Sequence, residues 1–438
     1  MNRLRHLPLL ALFAGPVLAQ DRVAITSLEP PQLAIEIDAA KTASLIIRFD
    51  RDMDTRQHGV TGAGSSFPTV RHTYWLDART FALDVTVQPE HVYSIPLVGV
   101  GSMHFTAADG TSLAPQTWRF ATTGTKLGEG QAAIAATRLF AALRDQYSYR
   151  DRLGVDWQEI EHKHHDALIH APDGPALALH VAEALAAAQD PHISVRWHDC
   201  TVPTFQRPVV ANFDPRGLQK AFPKLQRVGR IGMRGRSDDG IGYLSISSFA
   251  RELREDFDRA MQELRSLLDC KALVLDVRAN GGGDEMLAKR LAAFFVQGDR
   301  IYAAHRMRDP KAPDGFRVRE DHSIRGNNEP DTFPRAVAVL MGPQNMSTCE
   351  AFLLMMKQAP QAFLVGTDSY GSSGNPQQHT LVPNLTVALP SWQALRPDGT
   401  TFEGEGITPH IYVAATPEQL ADDDPILAEA LLRLRGQR

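Results

Sequence analysis

The sequence predicts a multidomain protein: an all-β sandwich, then a helical subdomain, then an α/β domain. Three observations predict it. Residues 21–124 carry short alternating apolar segments separated by turn clusters. Residues 128–200 carry apolar side chains at helical spacing. Residues 201–438 carry apolar runs of strand length that lead through tight loops into helical stretches. A chain of 438 residues also exceeds one ordinary domain.

Residues 1–19 read as a signal peptide rather than as structure. Arg3 and Arg5 form a basic start, Leu9 to Ala14 an apolar centre, and Val17-Leu18-Ala19 a small-residue cleavage site. The apolar centre is too short to span a bilayer, and no later run reaches that length. An exported protein, periplasmic or secreted, is expected, cleaved after Ala19. Loss of Arg3 and Arg5 takes the net charge from −5 to about −7. No Lys/Arg-rich run appears, which argues against nucleic acid as a partner. Three cysteines, Cys200, Cys270 and Cys349, leave room for one disulfide without choosing its pair.

In the first unit, Ser44 to Phe49, Phe81 to Val87, Val92 to Leu97 and Trp118 to Thr122 read as strands. No catalytic group stands out there. Thr125 to Gly130 read as a linker. In the helical unit, Leu139, Leu143 and Tyr147 share one face, and Leu177, Val181 and Leu185 another. Between them, Glu161 to Asp166 contains three histidines. It lacks His-Glu-x-x-His spacing and reads as a solvated helix face rather than a metal site. Asp190-Pro191 stops the second helix and leaves His192 in a loop before a β-type run. Histidine suits proton transfer near neutral pH, but a lone loop histidine needs a partner to mean more.

In the last unit, residues 240–247 read as a strand and Arg251 to Leu268 as a helix. Ala272 to Val277 is a buried-type strand leading into Arg278-Ala279-Asn280-Gly281-Gly282-Gly283, with a helix from Met286 to Val296. Glycines there let the backbone approach a ligand and turn N–H groups toward an anion. Neither a P-loop nor a dinucleotide fingerprint is present. Residues 297–334 show no apolar period and read as a polar insertion beside the site, a candidate flap. Ala336 to Met341 is an unbroken apolar run. It turns through Gly342-Pro343-Gln344-Asn345 into a helix that opens at Ser347. A hydroxyl held there sits at the C-terminal edge of a sheet, with free N–H groups of the helix start beside it. The plainer alternative is that Ser347 only caps the helix. Two consecutive strand–loop–helix units are expected to be parallel neighbours, with the glycine loop beside Ser347 as an oxyanion hole requires. Cys349 reads as buried packing rather than as a nucleophile. No Gly-x-Ser-x-Gly elbow is present. One C-terminal helix is expected from Pro417 to Leu434.

Two resemblances sharpen this. Arg48 to Asp54, Pro89 to Tyr93 and Trp118-Arg119-Phe120 make the first unit similar to bacterial Ig-like modules, which serve as spacers or binding appendages. Four later pieces resemble the serine peptidases of the C-terminal processing (tail-specific) and tricorn-core family. They are Asp190-Pro191-His192, Asp276 to Gly283, Ser347 to Glu350, and Glu403-Gly404-Glu405-Gly406-Ile407-Thr408-Pro409. That resemblance implies a crotonase-like ββα core, with Ser347 as nucleophile. It implies an oxyanion hole from Gly281 or Gly282 and the N–H of Thr348, and neither metal nor organic cofactor. The lysine that one branch uses as base is missing from Tyr370-Gly371-Ser372-Ser373-Gly374. The tricorn-like branch uses a histidine supported by a carboxylate, and His192 and Glu403 match those places. Pro191 stands where that branch has a hydroxyl residue, and Glu405 competes with Glu403. The resemblance implies a peptide or protein substrate cleaved through an acyl-enzyme. The alternatives are a binding protein that has lost turnover, and an esterase or amidase with the same chemistry.

Overall fold

A computed structural model of the protein describes residues 22–60, 62–97, 104–207, 209–328 and 331–436. The signal peptide expected at residues 1–19 lies outside the described residues.

The first unit holds seven strands: β1 (Ile25–Glu29), β2 (Ala34–Ile37), β3 (Ser44–Phe49), β4 (Thr69–Asp77), β5 (Thr80–Thr86), β6 (Val92–Pro96) and β7 (Thr117–Thr122). They form two sheets, ordered β1-β3-β5-β4 and β2-β7-β6. Alternation explains the packing. Leu45, Ile47 and Phe49 of β3 point inward and meet Tyr93 and Ile95 of β6 and Trp118 and Phe120 of β7 in one core. The strand expectations for this unit fall on β3, β5, β6 and β7.

Three helices follow: α1 (Gln131–Asp145), α2 (Trp157–Ile169) and α3 (Gly174–Leu185). Asp156 and Asp173 cap α2 and α3 with their carboxylates. Asp173 also accepts the Gly124 N–H at 2.8 Å, which ties the end of the β-module to α3. Glu161, His162, His165 and Asp166 are exposed on α2. After α3 come β8 (Ser194–Trp197) and β9 (Cys200–Pro203), α4 (Pro215–Ala221), and the antiparallel pair β10 (Gln226–Val228) and β11 (Gly232–Arg236).

The rest builds the α/β unit from β12 (Ile241–Ser245), α5 (Arg254–Ser266), β13 (Ala272–Asp276), α6 (Glu285–Ala292), β14 (Asp299–Met307), β15 (Glu320–Arg325), β16 (Val337–Met341) and α7 (Thr348–Met356). Next come β17 (Ala362–Gly366), β18 (Pro376–Val382), β19 (Leu385–Pro390), β20 (Trp392–Leu395), β21 (Ile411–Tyr412), α8 (Pro417–Asp422) and α9 (Pro425–Leu434). The main sheet runs β10-β11-β12-β13-β16-β17-β21, and it is parallel from β12 to β21. Both its faces are covered, so its strands read as continuous apolar runs. Val337, Val339 and Met341 of β16 face the core shared with α5, α6 and α7. Ala338 and Leu340 face the core shared with α4, α8 and α9.

Two expectations need correction. Residues 297–334, expected as a polar insertion without an apolar period, carry two strands: β14 and β15 pair there, and β14 also pairs with β20 in a three-stranded sheet. The partner strand lies far along the chain, and Arg306 and Arg308 interrupt the apolar side, so no local period shows. The C-terminal helix is two helices. Asp424 stands at φ 40° between them, caps α9, and Pro425 begins the new helix. All three cysteines are free and buried. Among the described residues, no helix is long and apolar enough to cross a membrane.

Candidate active site

The β13–β16 pairing sets the site. Asp276 lies in register with Leu340, so both strands end at the same sheet edge and release their loops side by side. The two loops are then stitched together. Asn345, fully buried, donates to Asn280 O at 3.1 Å, and its side-chain oxygen accepts the Gly342 N–H at 2.8 Å. A Cβ on Gly342 would lie 2.1 Å from the Asn212 side chain and force it to move.

Gly282, at φ 101°, lies against the serine turn: a Cβ would come within 2.8 Å of Met346 O and 3.0 Å of Thr348 N. Its own N–H donates to Asn280 Oδ1 at 2.8 Å. Gly281 and Gly283 are exposed at the loop surface. Gly283 O accepts the Thr348 hydroxyl at 2.7 Å, which clamps the loop to the start of α7.

Ser347 precedes α7 at φ 55°, ψ −127°, a region that ordinary side chains avoid. Such strain, of about 1–3 kcal/mol, persists where the surroundings over-determine the backbone. Here the Ser347 N–H is held by Ser372 O at 2.8 Å and by Glu350 Oε2 at 3.2 Å. Substitution tests the strain. Ser347→Gly is expected to be more stable than Ser347→Ala by about 1 kcal/mol, part of the relief being offset by glycine's freedom when unfolded. Urea unfolding of the two variants reads this. A glycine variant no more stable than the alanine variant would mean that the turn is unstrained.

Glu350 organises the wall opposite. Fully buried, it accepts from Ser369 Oγ at 2.5 Å, Gly371 N at 2.7 Å and Ser372 N at 3.0 Å, besides Ser347 N. Burial pushes its carboxyl up to about 7 against those donors. The turn it holds carries Ser372, whose buried hydroxyl is hydrogen-bonded to His192 Nδ1 at 2.6 Å. The imidazole and Ser347 are therefore joined through one residue: Ser372 O takes the serine N–H and Ser372 Oγ meets the histidine.

Burial lowers the His192 pKa, so the ring is neutral at pH 7. The carboxylate within ion-pair range of it is Asp190, 3.9 Å from Nδ1. Asp190 accepts the His192 N–H at 2.9 Å and the Tyr147 hydroxyl at 3.0 Å. Glu403 is buried and accepts the Ser373 N–H at 2.8 Å rather than bonding the imidazole. Burial, reinforced by the Asp190 charge, pushes its carboxyl well up. Glu405 points outward toward Arg396 at 3.6 Å. Burial also raises the Cys349 thiol well above its ordinary value, so it is no thiolate.

Ser347, Thr348, Gly283, Ser373 and Trp392 line a cavity of about 520 Å³. Sequence reasoning did not find Ser372, Asp190 or Asn345. Asp190 carried a signal, since it sits two residues before the histidine. Ser372 and Asn345 carried none beyond lying in turns.

This geometry can be set beside known proteins. A model of peptidase family S41 matches residues 240–413, which contain the glycine loop, Ser347 and Glu403. Residues 240–413 are a peptidase family S41 domain. The chain is 27% identical over 188 residues to the carboxy-terminal processing protease CtpB of Bacillus subtilis, covering 42% of this chain and 37% of CtpB. It is 28% identical over 208 residues to a carboxy-terminal-processing protease of Bartonella bacilliformis, covering 45% of this chain and 44% of that protein. The chain thus matches less than half the length of either relative. A Parabacteroides merdae protein whose crystal structure is described as that of a peptidase shares the fold, with TM-score 0.60 and 21% identity over 71% of this chain and 97% of that one. His192 and Asp190 lie outside the matched S41 segment, on the loop that follows α3.

Proposed function

We propose that the protein is an exported serine-type peptidase that cleaves peptide bonds through an acyl-enzyme at Ser347, with His192 as general base. The observation that carries this is the buried, neutral His192 linked by Ser372 to a serine held in a strained turn beside the glycine loop. The matched family and its relatives point the same way.

In the first step Ser347 Oγ attacks the scissile carbonyl carbon. His192, neutral at pH 7, takes the serine proton as general base, and the Ser372 hydroxyl on Nδ1 holds the ring in place. The carbonyl oxygen becomes an oxyanion. The Thr348 N–H is one donor for it. The Gly282 N–H is already given to Asn280, so the loop donor falls to Gly281 or Gly283, and Gly283 lines the Ser347 cavity. The imidazolium then protonates the leaving amine, the C–N bond breaks, and water deprotonated by the same route hydrolyses the ester. Asp190 offsets the charge on the imidazolium. Glu403 supports the base indirectly, by holding the Ser372-Ser373 turn. No step uses a metal or organic cofactor.

The same reading takes the first unit as an Ig-like module, the S41 domain as crotonase-like, and residues 1–19 as the export signal. Its substrate is a peptide or protein.

A fluorophosphonate probe tests the chemistry. It should label the wild type and leave Ser347→Ala unlabelled, and the wild type should digest an unfolded polypeptide before labelling and lose that activity after it. An unlabelled wild type overturns the proposal in favour of a binding protein without turnover, a reading that the missing lysine and Pro191 support. Labelling with turnover of small esters but not peptides favours the esterase.

A further inference from the structure

A second cavity, of about 810 Å³, opens where the β-module meets the rest of the chain. The chemistry above does not use it. Ala63 and Ser94 come from the module; Pro191, Phe205, Met346 and Tyr370 come from the other side. Pro191 precedes His192, and Met346 precedes Ser347. The cavity lining thus includes the residues that precede His192 and Ser347 in the chain, and Ser347 itself lines the 520 Å³ cavity.

The wall supplied by the module is fixed in place. Ser65 Oγ accepts the Thr201 N–H at 2.9 Å, and Ser65 O is hydrogen-bonded to the His91 ring at 2.6 Å. The module itself is pinned by Trp197 Nε1 donating to Glu90 O at 3.1 Å. The buried Arg119 donates to Thr204 O at 2.8 Å. A wall held this way needs no closure to shape a ligand.

The lining says what fits. Phe205, Tyr370, Met346 and Pro191 make it apolar. Arg207, also in the lining, stacks its guanidinium 4.0 Å over the Tyr370 ring and bonds Tyr370 O. Ser94, Ser65 and Thr201 add hydroxyl residues to the same lining. An extended polypeptide offers both features: apolar side chains and a backbone donor or acceptor at each residue.

We infer that the cavity between the β-module and the S41 domain is a substrate subsite that takes an extended, apolar polypeptide segment flanking the scissile bond, with the module as its wall. This rests on Ser347 acting on polypeptides, and the experiment separates the two claims. Ala63→Trp fills the cavity at an exposed residue of the β-module that has no part in the proposed proton transfer. Its labelling rate with a small fluorophosphonate should equal that of wild type. Its kcat/KM on unfolded fluorescein-labelled casein should fall by about tenfold or more, mostly in KM. In the Ser347→Ala background, casein binding read by anisotropy should weaken by a similar factor. Phe205→Ala, which removes the aromatic wall, should act in the same direction and serves if the tryptophan variant does not fold. Unchanged casein cleavage and binding in both variants overturns the subsite while leaving the peptidase reading intact. An unlabelled wild type whose casein binding still depends on Ala63 and Phe205 removes the peptidase reading and keeps the subsite.

Discussion

His192→Ala and Ser347→Ala should each remove most turnover, on the order of 10³-fold or more, and the double variant should lose little beyond either. A serine hydroxyl is a weak nucleophile at neutral pH, so the group that accepts its proton controls the rate. His192 is the buried imidazole joined to the serine turn, through the 2.6 Å bond to Ser372. Ser372→Ala should therefore cost more in kcat than in KM, because the imidazole loses the hydroxyl that positions it while the substrate cavities remain. Glu403→Gln should cost less than His192→Ala. Its carboxyl is pushed toward the protonated form, and its ordered contact is to a main-chain N–H, which an amide oxygen also accepts. The pH profile carries a sign. The neutral ring is the base, and burial lowers its pKa, so activity should rise with pH and reach half its plateau below the ordinary histidine value of about 6.5. Kinetics across pH on an unfolded peptide check all of this. Near-full activity in His192→Ala beside a dead Ser347→Ala would show another group activating the serine.

The second large effect is on stability. Arg278→Ala should cost about 3–5 kcal/mol. Arg278 is 1% exposed and is held between two buried carboxylates, Asp276 at 2.7 Å and Asp424 at 2.9 Å. It also donates to Asn212 O at 3.0 Å, and Tyr243 donates to Asp276 at 2.9 Å. Removing the guanidinium leaves two carboxylates buried beside each other. It also frees the loop that follows β13 from Asp424, the cap of α9. Arg278→Lys should recover only part, because one ammonium lacks the planar fork that reaches both acids. Urea unfolding followed by circular dichroism reads the loss. A cost under about 1 kcal/mol would show that the triad is worth no more than an exposed pair.

The Asp-x-Arg part of the glycine-loop motif is thus structural, while Gly282 packs against the Ser347 turn. From sequence the two halves looked like one signal. Only the placement of Asp424 separates them, and Asp424 lies 146 residues along the chain from Arg278.

By itself, the sequence determined what is local. The apolar runs of β13 and β16 announce strands buried on both faces, and parallel neighbours then put the glycine loop beside Ser347 by register alone. Turn residues after each strand, and helical spacing after each turn, need no distant partner to be read. The tertiary structure decided what depends on contacts distant in sequence. It paired β14 with β20, which no short window shows. It broke the last helix at Asp424, whose carboxylate is committed to Arg278. It put the Ser372 hydroxyl, 180 residues from His192, against the imidazole, and left Glu403 on the neighbouring N–H. A hydrogen bond is settled by tenths of an ångström between side chains that loops bring together, and residue type and spacing carry no information at that scale.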